Sequence, residues 1–128
     1  MSIRGIFWLS LPQQGSPVGL IHSNPARHFH VTLQFGVDLT PAIQDMLGEE
    51  VEVVAVADCS NDRVQALRVI LPDEVAQLCS NEHPHMTIST VDGAKPVESN
   101  DMLAGEHSCT EVNIPLTLRF EFFQFDRG

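Results

Sequence analysis

The sequence predicts an α+β domain with more strand than helix. Three observations carry this expectation. Apolar residues recur with a period of two, or in short unbroken runs, along most of the chain. Few segments combine helix formers with helix start and stop signals. Gly, Pro, Asn, Asp and Ser cluster between the runs. With 128 residues and 43% hydrophobic content the chain is expected to build one core, so residues 1–128 are read as a single domain.

The first strand is placed at Ile3–Leu11. Its segment Gly5–Leu11 behind Arg4 has the look of a short secretory apolar region. Pro12, Gln13 and Gln14 follow it without a small-residue cleavage site, so a core strand is the preferred reading. Further strands are expected at Pro17–Ser23, His28–Gly36, Val51–Cys59, Gln65–Leu71, His85–Val91 and Ile114–Asp126. Pro41–Leu47 reads as a helix, with Thr40 as N-cap, proline at the first helical position and Gly48 as the stop. Asp73–Cys79 reads as a second, with Asp73 and Glu74 in its first turn where they favour the helix dipole. Val97–Leu103 is a helix or turn. Ser60-Asn61-Asp62-Arg63 has the residues of a hairpin turn.

Charge narrows the range of partners. With 17 acidic and 7 basic residues the formal net charge is −10 and the pI about 4.8, which disfavours a broad electrostatic grip on long nucleic acid. A small anion held in a local pocket stays compatible. Cys59, Cys79 and Cys109 are odd in number and widely spaced, without a C-x-x-C pair, and are read as reduced thiols of an intracellular, cytoplasmic protein. No run approaches the ~20 apolar residues that a membrane span requires.

Comparing the chain with itself exposes a repeat. His28-Phe29-His30-Val31-Thr32-Leu33 and His83-Pro84-His85-Met86-Thr87-Ile88 share the pattern H-x-H-x-T-apolar, 55 residues apart (30 to 85), and each leads into an expected strand. This suggests two related lobes meeting at the motif. On a strand, residues two apart share a face, so His30 projects with Thr32 and His85 with Thr87, while Val31, Leu33, Met86 and Ile88 face the core. Two imidazoles and two hydroxyls in one cleft suit a phosphodiester. One neutral histidine can take a proton while the other, protonated, gives one to the leaving oxygen, and the threonines can bond the non-bridging oxygens. This chemistry calls for no metal and no cofactor. It also predicts a bell-shaped pH profile with both limbs near the imidazole range.

Paired H-x-T-apolar strands resemble the 2H phosphoesterase superfamily. The segments His28–Gly36 and Pro84–Thr90, continuing through Gly93–Asn100, are similar to its RNA-repair-like branch. That branch is related to the cyclic phosphodiesterase part of fungal and plant tRNA ligases and to phage proteins that cleave cyclic oligonucleotides. The resemblance implies a bilobal fold, with two pseudo-symmetric antiparallel-sheet lobes around a central cleft. It also implies hydrolysis of a 2′,3′-cyclic phosphate RNA end or of a cyclic nucleotide or oligonucleotide. His30 and His85 would be acid and base, and Thr32 and Thr87 phosphate ligands. The partner is then a small nucleotide or an RNA 3′ end, without extended nucleic-acid binding or membrane contact.

Other residues carry two readings each. Lys95, Ser99 and Asn100 either close over the cleft and bind substrate or form a solvated loop with a helix start. With no tyrosine in the chain, base stacking falls to Phe7, Trp8, Phe29 or the aromatic tail. Arg119 either faces a phosphate or, as preferred, makes an ordinary cross-strand ion pair. In the tail, Phe120 and Phe122 share one face and Glu121, Phe123 and Phe125 the other, so the strand is expected to be central or buried at a homodimer contact. His22 and His107 are read as surface or loop residues. Two other classes remain open: a catalytically silent nucleotide-binding module of the same fold, and a metal-binding β-domain using the H-x-H pairs. Against the second, a cupin-type site would add a glutamate shortly after the first pair, where the chain has Gln34 and then Gly36.

Overall fold

A computed structural model describes residues 3–12, 16–81, 83–95, 98–105 and 107–125. Ten elements follow one another: β1 (Arg4–Ser10), β2 (Asn24–Pro25), β3 (His30–Asp38), α1 (Pro41–Met46), β4 (Glu50–Ser60), β5 (Val64–Ile70), α2 (Asp73–Ala76), β6 (His85–Thr90), α3 (Glu98–Ala104) and β7 (Ser108–Gln124). The mixture is α+β, as the periodicities predict. All pairings are antiparallel, in the order β2-β6-β3-β1-β7-β4-β5, and β5 also pairs with β6, so the sheet closes into a ring. The lobes expected from the repeat do not appear as two separate sheets, because strands from both halves of the chain are interleaved in one.

The ring encloses the main core. Phe7, Leu9, Val31, Leu33, Leu67, Met86, Ile88 and Leu118 are fully buried there, which confirms the inward face expected for both motif strands. A smaller core of Cys59, Val64, Ala66, Met102 and Leu103 lies under α3. In β7, Phe120 is buried and Phe122 packs on the core while Phe123 is exposed, so the tail's two faces fall as expected, and β7 runs centrally between β1 and β4. At Gly5 the β1 backbone lies so close to the Phe123 carbonyl of β7 that a Cβ would collide with it, which makes glycine a packing requirement there.

Local signals place the helices and turns. The Thr40 hydroxyl accepts the Ile43 N–H at 3.2 Å, with Pro41 in the first turn of α1. Asn61 turns the β4–β5 hairpin by accepting the N–H groups of Arg63 and Val64, both at 2.9 Å. The third helix begins at Glu98, whose carboxylate accepts the Lys95 N–H at 2.8 Å; Val97 lies outside the described residues. No helix among the described residues is long and apolar enough to cross a membrane.

Three expectations need correction. Pro17–Ser23 is not a strand, because side chains satisfy its backbone in place of a partner strand. Gln65 accepts from Ile21 N–H and donates to Gly19 C=O, and Ser89 Oγ accepts from His22 N–H. The last strand starts at Ser108, six residues before Ile114, since its first part pairs with the far end of β4. The cysteines are not all reduced thiols. Cys59 and Cys109 stand opposite each other in the β4–β7 register, with Cα atoms 4.1 Å apart, and are joined as a disulfide, leaving Cys79 free.

Candidate active site

The two motif strands meet at one residue pair, Val31↔Met86. Since β3 and β6 run antiparallel, one step either way sets His30 across from Thr87 and Thr32 across from His85. A local pseudo-twofold therefore relates the two motifs even though the sheet is continuous. On its other edge β3 pairs with β1, with Thr32 opposite Trp8 and His30 opposite Ser10; a register shift between Phe7 and Trp8 leaves Leu33 as an extra residue on β3. A cleft of about 800 Å³ opens over this face, and His30, Thr32, His85, Thr87 and Trp8 all line it.

The H-x-H half of each motif has a shared structural role. His30 Nδ1 lies 3.0 Å from the His28 carbonyl, and His85 Nδ1 lies 2.8 Å from the His83 carbonyl. A carbonyl can only accept, so each Nδ1 carries its proton and each Nε2 keeps a lone pair in the neutral ring. Trp8 holds the first ring further, with centroids 4.0 Å apart. Burial in the cleft pushes His30 from 6.5 down to about 4. The His28 carbonyl opposes that shift, and the charges of His28 and His85 add to it, so the two imidazoles lie within electrostatic reach of each other. Burial lowers His85 too, against the His83 carbonyl and with the His83 charge. Burial thus favours the neutral form of both rings.

The threonines differ in their surroundings. Thr87 is buried and its hydroxyl lies 2.9 Å from that of Ser99, itself fully buried on α3. Ser99 thereby supports Thr87 and is not among the residues lining the cleft, whereas its neighbour Asn100 is. Lys95 is exposed and outside the lining, so its expected place over the substrate is not seen. Arg119 does not make the expected ion pair. It stands opposite Ser10 and Glu50, its Nε is buried without a hydrogen-bond partner, and the ion pairs among the described residues are Arg4–Asp38 and Arg63–Glu98. If Thr32 and Thr87 bind the reacting group, Thr32→Val and Thr87→Val each lower kcat/KM about 10-fold or more while keeping the side-chain shape. Unchanged kcat/KM in both variants would make the hydroxyls structural.

The sequence reading missed a wall of the cleft. Ser80, Asn81 and His83 line it from the segment after α2, which is pinned along β3. Leu33 C=O accepts from both the backbone and hydroxyl of Ser80, and Gln34 donates to Leu78 C=O at 2.9 Å. Asn81 donates to the Asn100 side chain at 3.0 Å and accepts the His83 N–H at 3.0 Å. The H-x-H repeat pointed to His83, but no sequence signal marks Asn81. Phe35 and Phe123 are exposed at 70% and 43%; Phe35 lines the cleft, and Phe123 packs on Trp8 at 5.1 Å. Phe7 is instead fully buried, which removes it from the candidates for base stacking.

Two imidazoles anchored alike, with two threonines beside them on adjacent antiparallel strands, place the chain in the class of 2H phosphoesterases. Its family is narrower. The model described as fungal tRNA ligase phosphodiesterase domain matches residues 40–115, more than half of the chain, and the chain belongs to that family. The match includes His85 and Thr87 and begins after His30 and Thr32. Comparison with curated proteins gives no match. Membership in this cyclic phosphodiesterase family makes hydrolysis of a phosphodiester the coarse functional assignment.

Proposed function

We propose that the protein hydrolyses a nucleotide phosphodiester without a metal, either a 2′,3′-cyclic phosphate at an RNA end or a bond of a cyclic nucleotide or oligonucleotide. His30 and His85 act as the acid–base pair. The observation that carries this reading is the matched anchoring of the two rings, which leaves both Nε2 atoms available in one cleft with Thr32 and Thr87. One Nε2, neutral, takes a proton from the attacking water. The other, protonated, gives its proton to the leaving oxygen, and the threonine hydroxyls donate to the non-bridging oxygens. Trp8 and Phe35 supply apolar surface in the cleft for a base, and Phe123 packs against Trp8. The substrate is small, because among the described residues no Lys or Arg lines the cleft and the chain carries a net charge of −10.

The test is a substrate panel run in EDTA, with 2′,3′-cyclic mononucleotides, cyclic-phosphate-ended RNA and cyclic di- and trinucleotides. Turnover of at least one supports the reading, and turnover of none overturns it.

The pH dependence follows from the two lowered pKa values. The productive state holds one proton between the pair. It fills as pH falls through the lowered range of the two imidazoles, below 6.5, and is lost again at still lower pH as the second ring protonates. The profile of kcat/KM, which reports the free protein, is therefore expected to peak on the acid side of pH 6.5, lower than sequence alone suggests. In kcat the alkaline limb moves up, because a bound anionic phosphate stabilises the imidazolium. A kcat/KM that keeps rising into alkaline solution would exclude the paired-histidine scheme and point to a hydroxide bound on a metal.

A further inference from the structure

Outside the cleft, the fold gathers three metal-ligating side chains that lie far apart in sequence. Cys59 at the end of β4 and Cys109 at the start of β7 are direct cross-strand partners, and His107 precedes β7. One ligand atom from each of the three lies within 4.8 Å of the other two, and no other group of three or more His, Cys, Asp or Glu among the described residues is so assembled. The His107 ring is also set for ligation. Its Nδ1 lies 2.8 Å from the Gly105 carbonyl, so that nitrogen carries the proton and Nε2 keeps the lone pair; a histidine that binds a metal commonly has its second nitrogen held in this way.

We propose that Cys59, Cys109 and His107 form a redox-gated site for a thiophilic divalent cation such as zinc, closed by the disulfide and opened by a thiol reductant. Cys59 is fully buried but Cys109 is exposed, so a reductant can reach the Cys109 sulfur. Two thiols reduce the disulfide, giving two protein thiols and one disulfide of the reductant. The cation then replaces the two thiol protons, binding both sulfurs as thiolates and the neutral His107 Nε2, with water in the fourth position of a tetrahedron. Either state ties the end of β4 to the start of β7, directly after the helix whose Ser99 supports Thr87. The site shares no residue with the catalytic cleft, so it stands independently of the proposed phosphodiesterase activity.

The test uses the full chain, reduced with a phosphine and titrated anaerobically with Co²⁺ and then Zn²⁺, beside the disulfide form. One equivalent of Co²⁺ should give a thiolate-to-cobalt absorption band, which Zn²⁺ then displaces, and Zn²⁺ should raise the Tm of the reduced chain. The disulfide form should show neither effect. Cys109→Ser should abolish the band, and His107→Ala should weaken Co²⁺ affinity about 10-fold or more. His107→Ala leaves both cysteines in place, so it tests the site even where the cysteine variant fails to fold. Absence of the band in the reduced wild type, or a band of equal strength and affinity in His107→Ala, overturns the proposal.

Discussion

Alanine at His30 or at His85 is expected to lower turnover by about 10²–10⁴-fold, since each change removes one side of the proposed proton exchange. The double variant should be little worse than the weaker single variant, because a base without an acid, or an acid without a base, leaves the other with nothing to complete. His107→Ala is the matched control. It removes a histidine whose ring is held by a carbonyl in the same way but lies outside the cleft, and it should keep wild-type turnover. Steady-state rates at saturating substrate, on whichever substrate of the panel is best, give the answer. A large loss from one histidine beside near-normal turnover without the other would break the paired mechanism, although the two rings are anchored alike.

Phe7→Ala is expected to cost about 3–5 kcal/mol of folding stability, a large share of the ~5–15 kcal/mol that a domain commonly has. Phe7 is fully buried in β1, and its ring stacks on Phe120 of β7 with centroids 5.6 Å apart, so truncation leaves a cavity between two central strands. The strands are fixed on both sides by the closed ring and cannot easily collapse into that space. Trp8 follows Phe7 directly and supports the His30 ring, so activity should fall along with stability. Urea unfolding with an unchanged m-value and a lowered midpoint would show the effect. A cost below about 1 kcal/mol would mean that the β1–β7 core is looser than the structure describes.

Much of the local structure was legible in the sequence. Thr40-Pro41 and Gly48 bound the first helix, Asn61 makes the hairpin, and the alternation around His30 and His85 assigns an inward and an outward face to every motif residue. These features depend on contacts only a few residues long: a capping hydroxyl, a turn amide, the period of a strand. The repeat also identified the four candidate site residues, because spacing of two on a strand holds wherever the strand sits in the fold.

Tertiary structure decided how distant segments align. That Val31 pairs with Met86, that strands of both halves form one closed sheet, and that Cys59 meets Cys109 across 50 residues are matters of register between strands far apart in the chain. Register is set by which side chains fill a shared core, and local periodicity does not encode it. The same reason hid Asn81 from the sequence reading and moved Ser99 behind Thr87. It also explains why burial, which lowers both imidazoles, could be read only after packing placed the two histidines in one cleft.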